Sequence, residues 1–598
     1  MFSLKILSVN PPCIVYQSDT KRYLFGCSEG LQRLCVEYKI KLMKVQAICV
    51  LDICHPNDIM GFPGLLLTMN DLQKRSLEVI GPQGMQHFID IIQFFLNRTS
   101  VPLFPTYAPK HYISADLNMD LVPIGSNKVC YIGSTPTILG KFDVFKATAL
   151  KIPRGPLFAQ LKKGVSIVLE DGTRIHPEQV VEPTEAGSHF IIVCALHLPE
   201  DDHLLSELIN SASFSPYQQP DENLARENSV QVMIHLSPAS TISNERYKAW
   251  TDSFGSSTTH ITLSKDNNNG ISSNIAATLF NNKLHEVCPD LCPCLPFLEP
   301  SVSKSQSQKW IVGSNQLVYT LGPQRKLGLI FPENSEFVES MLTFKKELVG
   351  NLELQTSLQI VQEERKKIVA GTLDDPHDVL LRSEASALRN IYFLGTGSAI
   401  PCKYRNVSGI LLNLEEYSLL LDAGEGSWAQ LVALSTAKGF SATETARRLR
   451  LAWISHPHAD HHLGIIRVAY ERKRCLATQT HECFDPLVVI APPAVLALLE
   501  DYSRFDSYFQ DAYIGLPCAC FDELQEIHLD RSVEQQGQYH FTQRMLERVG
   551  IRSLLNCPVD HCSSAYGIAI TLSDDLKLVY SGDTVIFYQL RRFLDCLD

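Results

Sequence analysis

The chain has 598 residues, more than one hydrophobic core can organise, so two domains or more are expected. Its composition, 45% hydrophobic and 20% charged, is ordinary for a soluble protein. Lys and Arg total 53 against 65 Asp and Glu, and the net charge of −12 excludes a basic protein that coats nucleic acid. Any RNA contact must come from a local basic patch.

No apolar run reaches the roughly 18 residues that spanning a bilayer requires, so no membrane partner is expected. The opening MFSLKILSVNPPCIVY is neither a secretory signal nor an Arg- and Ser-rich mitochondrial presequence. A targeting segment upstream of this form is left open. The 18 cysteines are scattered without framework spacing and read as reduced thiols of an intracellular protein.

In chain order, residues 22–34, RYLFGCSEGLQRL, read as a strand, a Ser-Glu-Gly turn and a helix, followed by the buried strand VQAICVLDI. Then come ICHPNDIMGFPGLL and, at 77–85, LEVIGPQGM. Residues 151–164, KIPRGPLFAQLKKG, carry Lys151, Arg154, Lys162 and Lys163 without an acid. They form either a phosphate-gripping patch or a solvated loop with incidental lysines. KDNNNGISSN at 265–274 reads as a turn. Cys288, Cys292 and Cys294 in VCPDLCPC lack a well-spaced fourth partner, so they read as a proline-rich loop with free thiols. A connection is expected over 301–388, opening with SVSKSQSQ and holding a charged helical run from Glu333 to Ala370.

Downstream the first pattern returns. SLLLDAGEGSWAQL at 418–431 is followed by LRLAWIS, then SHPHADHHLG, then LVVIAPPAV at 487–495. An internal repeat of two related α/β domains explains the matches. His456 and His458, two apart on extended backbone, point to one side and can grip one ion. Past the turn, Asp460 and His461 can face a second ion beside it. Imidazole and carboxylate ligands of this kind suit zinc. Two ions about 3.5–4 Å apart can clamp a phosphate during in-line attack. LKLVYSGDT ends a strand at Asp583, placed for a bridging carboxylate, and NCPVDHCSSAYG presents His561 before another strand. Taken alone, His561 would be a loop histidine and Asp583 a turn residue; their order after the His-rich loop favours the metal.

These residues, with FLGTGSAIPCKYRNVSG (393–409), DAGEG (422–426) and SGDT, resemble the metallo-β-lactamase superfamily. FGCSEGLQR, GFPGLLLTM (61–69), IPRGPLFAQLKKGVSIVLEDGTRI (152–175) and MIHLSP (233–238) narrow the resemblance to its long-form tRNase Z branch. The resemblance implies two αββα domains in tandem, the first degenerate and the second incomplete at its C-terminus. Residues 1–300 would be the degenerate domain, with a basic Gly-Pro arm near 145–180, and 389–598 the catalytic one. It implies that His456, His458 and His561 hold one zinc, that Asp460 and His461 hold the other, and that Asp583 bridges. Asp460 would serve as general base in cutting precursor tRNA 3′ of the discriminator nucleotide. The loop from Gly395 to Asn406 would lie near RNA, with Lys403 and Arg405 adding charge, and the arm would reach the tRNA elbow.

Aligning Gly61 with Gly464 puts Ile53, His55, Asn57 and Asp58 at the ligand positions of the first copy, so that copy is expected to be inert and its histidine structural. After SGDT the family continues with a His-Glu-Ala-Thr motif and a last histidine ligand, whereas this chain reads VIFYQLRRFLDCLD. The second metal position is therefore expected to be incomplete and activity weak or absent. A non-catalytic tRNA-binding or regulatory form is the alternative reading. A hydrolase of thioesters or small phosphodiesters is a third, against which the arm and the first copy speak. Manganese could replace zinc. The nucleus or the mitochondrion is the expected compartment, and a homodimer is left open.

Overall fold

The computed structural model describes residues 1–584 except 96–99, 108–110, 139, 219–227, 265–272, 290, 297–308, 332–334, 371–388, 479–484 and 522–544. SVSKSQSQ, most of the 265–274 turn and the C-terminal VIFYQLRRFLDCLD thus lie outside the described residues.

Runs such as LVVIA are apolar at every position, which suits parallel strands covered on both faces. Four parallel strands are common to both halves. In the N-terminal half Arg22–Phe25, Val45–Cys49, Leu77–Gly81 and Leu103–Tyr107 lie side by side and parallel. In the C-terminal half Ser418–Ala423, Leu449–Trp453, Leu487–Ala491 and Tyr513–Pro517 repeat the order. Antiparallel strands extend each set, to eight strands in the first half and six in the second.

A second sheet faces each of these. Seven strands do so in the first half and three in the second, namely Ile551–Pro558, Tyr566–Leu572 and Lys577–Tyr580. Tyr16 and Phe25 meet Phe190 and Tyr131 between the first pair of sheets. Trp453 and Ile490 meet Ile568 and Ile570 between the second pair. On the outer faces of the parallel strands, helices from both halves share one core, in which Leu31, Phe62 and Phe88 pack with Trp428, Ile465 and Leu498. The two αββα sandwiches therefore meet helix to helix. Burial of this apolar area is the main term holding them together.

The N-terminal fold reaches further than the sequence reading places it. Trp310–Val312 pairs with Thr259–Thr262, and Val318–Gly322 pairs with the first strand, Phe2–Ser8. Phe2–Ser8 would otherwise be an unpaired edge, and the chain returns to cover it. Past that return, the described part of the connection is the exposed, charged helices Ser335–Gly350 and Leu352–Ala370. The basic segment belongs to a small unit with its own core of Ala147, Ile152, Leu161, Ile167, Ile175 and Val180.

Candidate metal centre

The strand Leu449–Trp453 runs out into Ser455 and His456 and then into a single helical turn, Ala459–His462. His458 caps that turn on extended backbone (φ −76°, ψ 141°), so His456 and His458 precede it while Asp460 and His461 lie within it. Gly464 closes the loop. Its N–H donates to Ala423 O at 2.8 Å, and a side-chain carbon there would lie 2.2 Å from Gly424 O. This close approach holds the His-rich loop against the DAGEG turn. The first copy keeps the same device, since Gly61 N–H donates to Cys27 O at 3.1 Å.

Two groups of ligand atoms converge. His458 Nδ1 lies 3.0 Å from His456 Nε2 and 3.1 Å from His561 Nε2. A tetrahedral zinc shell places its nitrogens about 3.3 Å apart, so three imidazoles at this spacing fit one ion. Beside them, His461 Nε2 is 3.6 Å from both Asp460 Oδ2 and Asp583 Oδ2. Asp583 Oδ2 is also 3.8 Å from His561 Nε2, which puts this carboxylate between the two groups. His456 and His461 are buried, whereas Asp583 is 44% exposed, so the centre opens on its Asp583 side.

The electrostatics suit a cation. Burial, with His461 close by, lowers His456 to about 3 and keeps its ring neutral, with one nitrogen free to ligate. Burial also disfavours charge on His461, but hydrogen bonds to Asp422 and Asp583 outweigh it and raise the ring to about 10. The hydrogen bond to His461 holds the Asp583 carboxyl down near 2. The carboxylates that raise His461 attract a cation, and imidazole beside carboxylate is the donor set that zinc takes.

One residue of the centre escaped the sequence reading. Asp422, fully buried, accepts hydrogen bonds from Ser455 N–H (2.8 Å), Ser455 Oγ (3.0 Å) and Tyr580 OH (2.7 Å), and its Oδ2 lies 2.8 Å from His461 Nδ1. It fixes the ring of His461 from behind, as carboxylates do for ligating histidines. Asp422 adopts φ +57°, a left-handed conformation that costs an ordinary residue energy. The equivalent residue of the first copy is Gly26, at φ +89°. An aspartate opposite a glycine in the repeat was the available signal.

The Gly395–Asn406 loop joins the centre through its backbone, with Ala399 N–H donating to Asp460 Oδ2 at 2.6 Å. The other half holds the loop as well, through Arg33 Nε donating to Cys402 O at 3.1 Å. Lys403 packs its ammonium 4.7 Å over the Tyr404 ring, and Arg405 is exposed. Lys151, Arg154, Lys162 and Lys163 are all exposed on the small basic unit and take no part in the metal cluster.

The first copy is emptied of ligands in a specific way. Ile53 and Asn57 are buried, and Ile53 packs in the core that the halves share. His55 caps a helix through Nδ1, which accepts from Asn57 N–H at 3.0 Å. Its ring stands 4.5 Å from that of Tyr470 in the other half, and its Nε2 is 3.6 Å from Glu471. The surviving histidine sits in the contact between the halves.

The chain is similar to known proteins along most of its length. Residues 7–70 match the family model described as tRNase Z endonuclease, and residues 389–594 match that of the Anti-Pycsar protein Apyc1. The mitochondrial tRNase Z TRZ3 of Arabidopsis thaliana is 29% identical over 95% of this chain and 72% of its own length. Zinc phosphodiesterase ELAC protein 2 of Pan troglodytes is 28% identical over the same shares, 95% and 72%. The crystal structure of a long-form RNase Z from yeast superposes with a TM-score of 0.64 at 18% identity, covering 98% of this chain and 85% of that one. That likeness shows the tandem fold.

Proposed function

We propose that this chain is a long-form tRNase Z, a zinc-dependent endoribonuclease that cuts precursor tRNA 3′ of the discriminator nucleotide. The observation that carries the reading is the convergence of His456, His458, His461, His561, Asp460 and Asp583 at one solvent-facing centre. His456, His458 and His561 would hold one ion, Asp460 and His461 a second, with Asp583 shared between them. When bound, such ions supply an acidified water and polarise the scissile phosphate.

The chain's own residues do the rest. Asp460, steadied by Ala399 N–H, accepts the proton of the attacking water as the new phosphorus–oxygen bond forms. The bond to the 3′ oxygen of the discriminator breaks, and that oxygen takes up a proton from solvent, leaving a 3′-hydroxyl on the tRNA and a phosphate on the trailer. Lys403 and Arg405 on the loop, and Lys151, Arg154, Lys162 and Lys163 on the basic unit, supply the local positive charge that a chain of net charge −12 otherwise lacks. Manganese can replace zinc in this reading, and the nucleus or the mitochondrion is the place of action.

The test is incubation of the purified chain with a precursor tRNA bearing a 3′ trailer, with Zn²⁺ or Mn²⁺, scoring cleavage and retention on one gel. A cut after the discriminator would support the endonuclease. A shifted but uncut RNA would support the non-catalytic tRNA-binding form instead, and neither shift nor cut would remove the RNA assignment.

A further inference from the structure

Between the metal ligands and the N-terminal half lies a cavity of about 870 Å³. His458, Asp460, His561 and Asp583 line one end. The Gly61–Asp71 helix of the other half contributes Leu67, Thr68 and Asp71 to the opposite wall. Ile400 and Pro401 of the loop and Leu498 complete an apolar slot. Clefts of 300–1,000 Å³ with apolar walls and a few placed polar groups are the usual form of a small-ligand site. Hydrolysis of a bare phosphodiester needs no such slot.

The polar groups come from both halves. Gln32 is 3% exposed and Glu425 is 4% exposed, and both line the cavity. Gln32 donates through Nε2 to Thr68 Oγ1, and Glu425 Oε1 accepts Gly30 N–H at 2.7 Å. Their other oxygens, Gln32 Oε1 and Glu425 Oε2, accept no hydrogen bond from the described residues. A side-chain carbon on Gly64 would lie 3.0 Å from the first of these and 2.1 Å from the second. Glycine at that position leaves both oxygens their room.

We infer that this cavity receives a nucleobase flanking the scissile phosphate, so that the inert first copy supplies residues that read the substrate of the second. The inference rests on the RNA reading above. A base presents two π faces to apolar walls and hydrogen-bonding groups at its edge, which is the complement of this slot. Leu67 is the specificity-determining wall, and Gln32 and Glu425 face the base edge.

The test combines a substitution in the protein with a deletion in the RNA. Precursor tRNAs carry an abasic site at the nucleotide 5′ or 3′ of the cut. For one of the two positions, base removal should lower kcat/KM of the wild-type chain by about ten-fold. Leu67→Trp, which fills the slot, should cost about ten-fold on intact RNA and nothing further on that abasic RNA. Leu67→Ala should shift the same way by about three-fold, which keeps the test sound should the tryptophan variant fail to fold. Binding is read separately with 2-aminopurine at each position and the protein held in chelator. One position should change fluorescence in the wild type, and Leu67→Trp should abolish that change.

Additive losses, or no loss at either position, would overturn the inference while leaving the function intact. A wild-type chain that neither binds nor cuts intact precursor tRNA would instead sink the RNA reading, and this inference with it.

Discussion

Glu29 and Glu425 cross between the halves. Glu29 Oε1 accepts Gly426 N–H at 2.9 Å, and Glu425 Oε1 accepts Gly30 N–H at 2.7 Å. Both glycines start helices in the left-handed conformation, at φ +86° and +87°. Each turn of the repeat thus hands its carboxylate to the other turn, where helix dipole and free N–H groups favour it. The symmetry then breaks. Glu29 Oε2 pairs with Arg467 Nη1 at 2.6 Å, but the repeat places Gly64 where Arg467 would serve Glu425. Burial without a cation, with Glu29 nearby, raises the Glu425 carboxyl to about 8.

That asymmetry predicts a pH dependence. The folded chain keeps a proton on Glu425 that the unfolded chain releases near the ordinary 4.5. Its contribution to stability is therefore full below that value and is lost as pH rises toward about 8. Glu425→Gln keeps the acceptor for Gly30 N–H and removes the titration. Urea unfolding should show it more stable than wild type at pH 8, by on the order of 4 kcal/mol, with the gap nearly closed at pH 4. An unchanged gap between the two pH values would refute the assignment.

Asp422→Asn should weaken zinc binding by about 10–100-fold, since the carboxylate that orients His461 is lost. Asp422→Gly copies the first half and relieves the strained backbone, yet it should lose metal at least as badly. Competition with a chromophoric chelator measures both. Wild-type affinity in Asp422→Gly would mean the aspartate serves the backbone turn alone.

His55→Gln should leave the zinc content per chain unchanged, because this histidine packs against Tyr470 rather than in a ligand group. Stability should fall by about 1 kcal/mol from the lost contact and weakened helix cap. Metal analysis together with unfolding decides it, and a drop in bound zinc would show that the first copy still holds an ion.

Replacing Lys162 and Lys163 by Ala tests the basic unit. Both are exposed, and Lys162 Nζ lies 5.3 Å above the Phe142 ring. If each meets one phosphate, the slope of log affinity for precursor tRNA against log salt becomes shallower by about 0.7–0.9 per lysine. A parallel line with unchanged slope would assign the grip elsewhere.

Much of the fold was legible because the repeat is written in local patterns. Turns that need glycine and apolar runs of strand length stand in the same order twice. The candidate ligands were legible for the same reason: four of the six fall within His456–His461, where backbone geometry alone aims them. The extent of the N-terminal fold was not. Trp310–Val312 pairs with Thr259–Thr262 and Val318–Gly322 with Phe2–Ser8, and no local signal announces partners that distant.

The sequence by itself determined the repeat, the gathering of histidines and acids in one loop and the loss of those residue types from the first copy, since each follows from which residue types stand a few positions apart. Only the tertiary structure decided what lies behind and beside the ligands. Asp422 behind His461, the exchange of Glu29 and Glu425, and the slot shared by Leu67 and the metal centre all join residues far apart in the chain. Such contacts exist because the two helical layers bury a common core, and that packing is a property of the folded surfaces rather than of any local stretch.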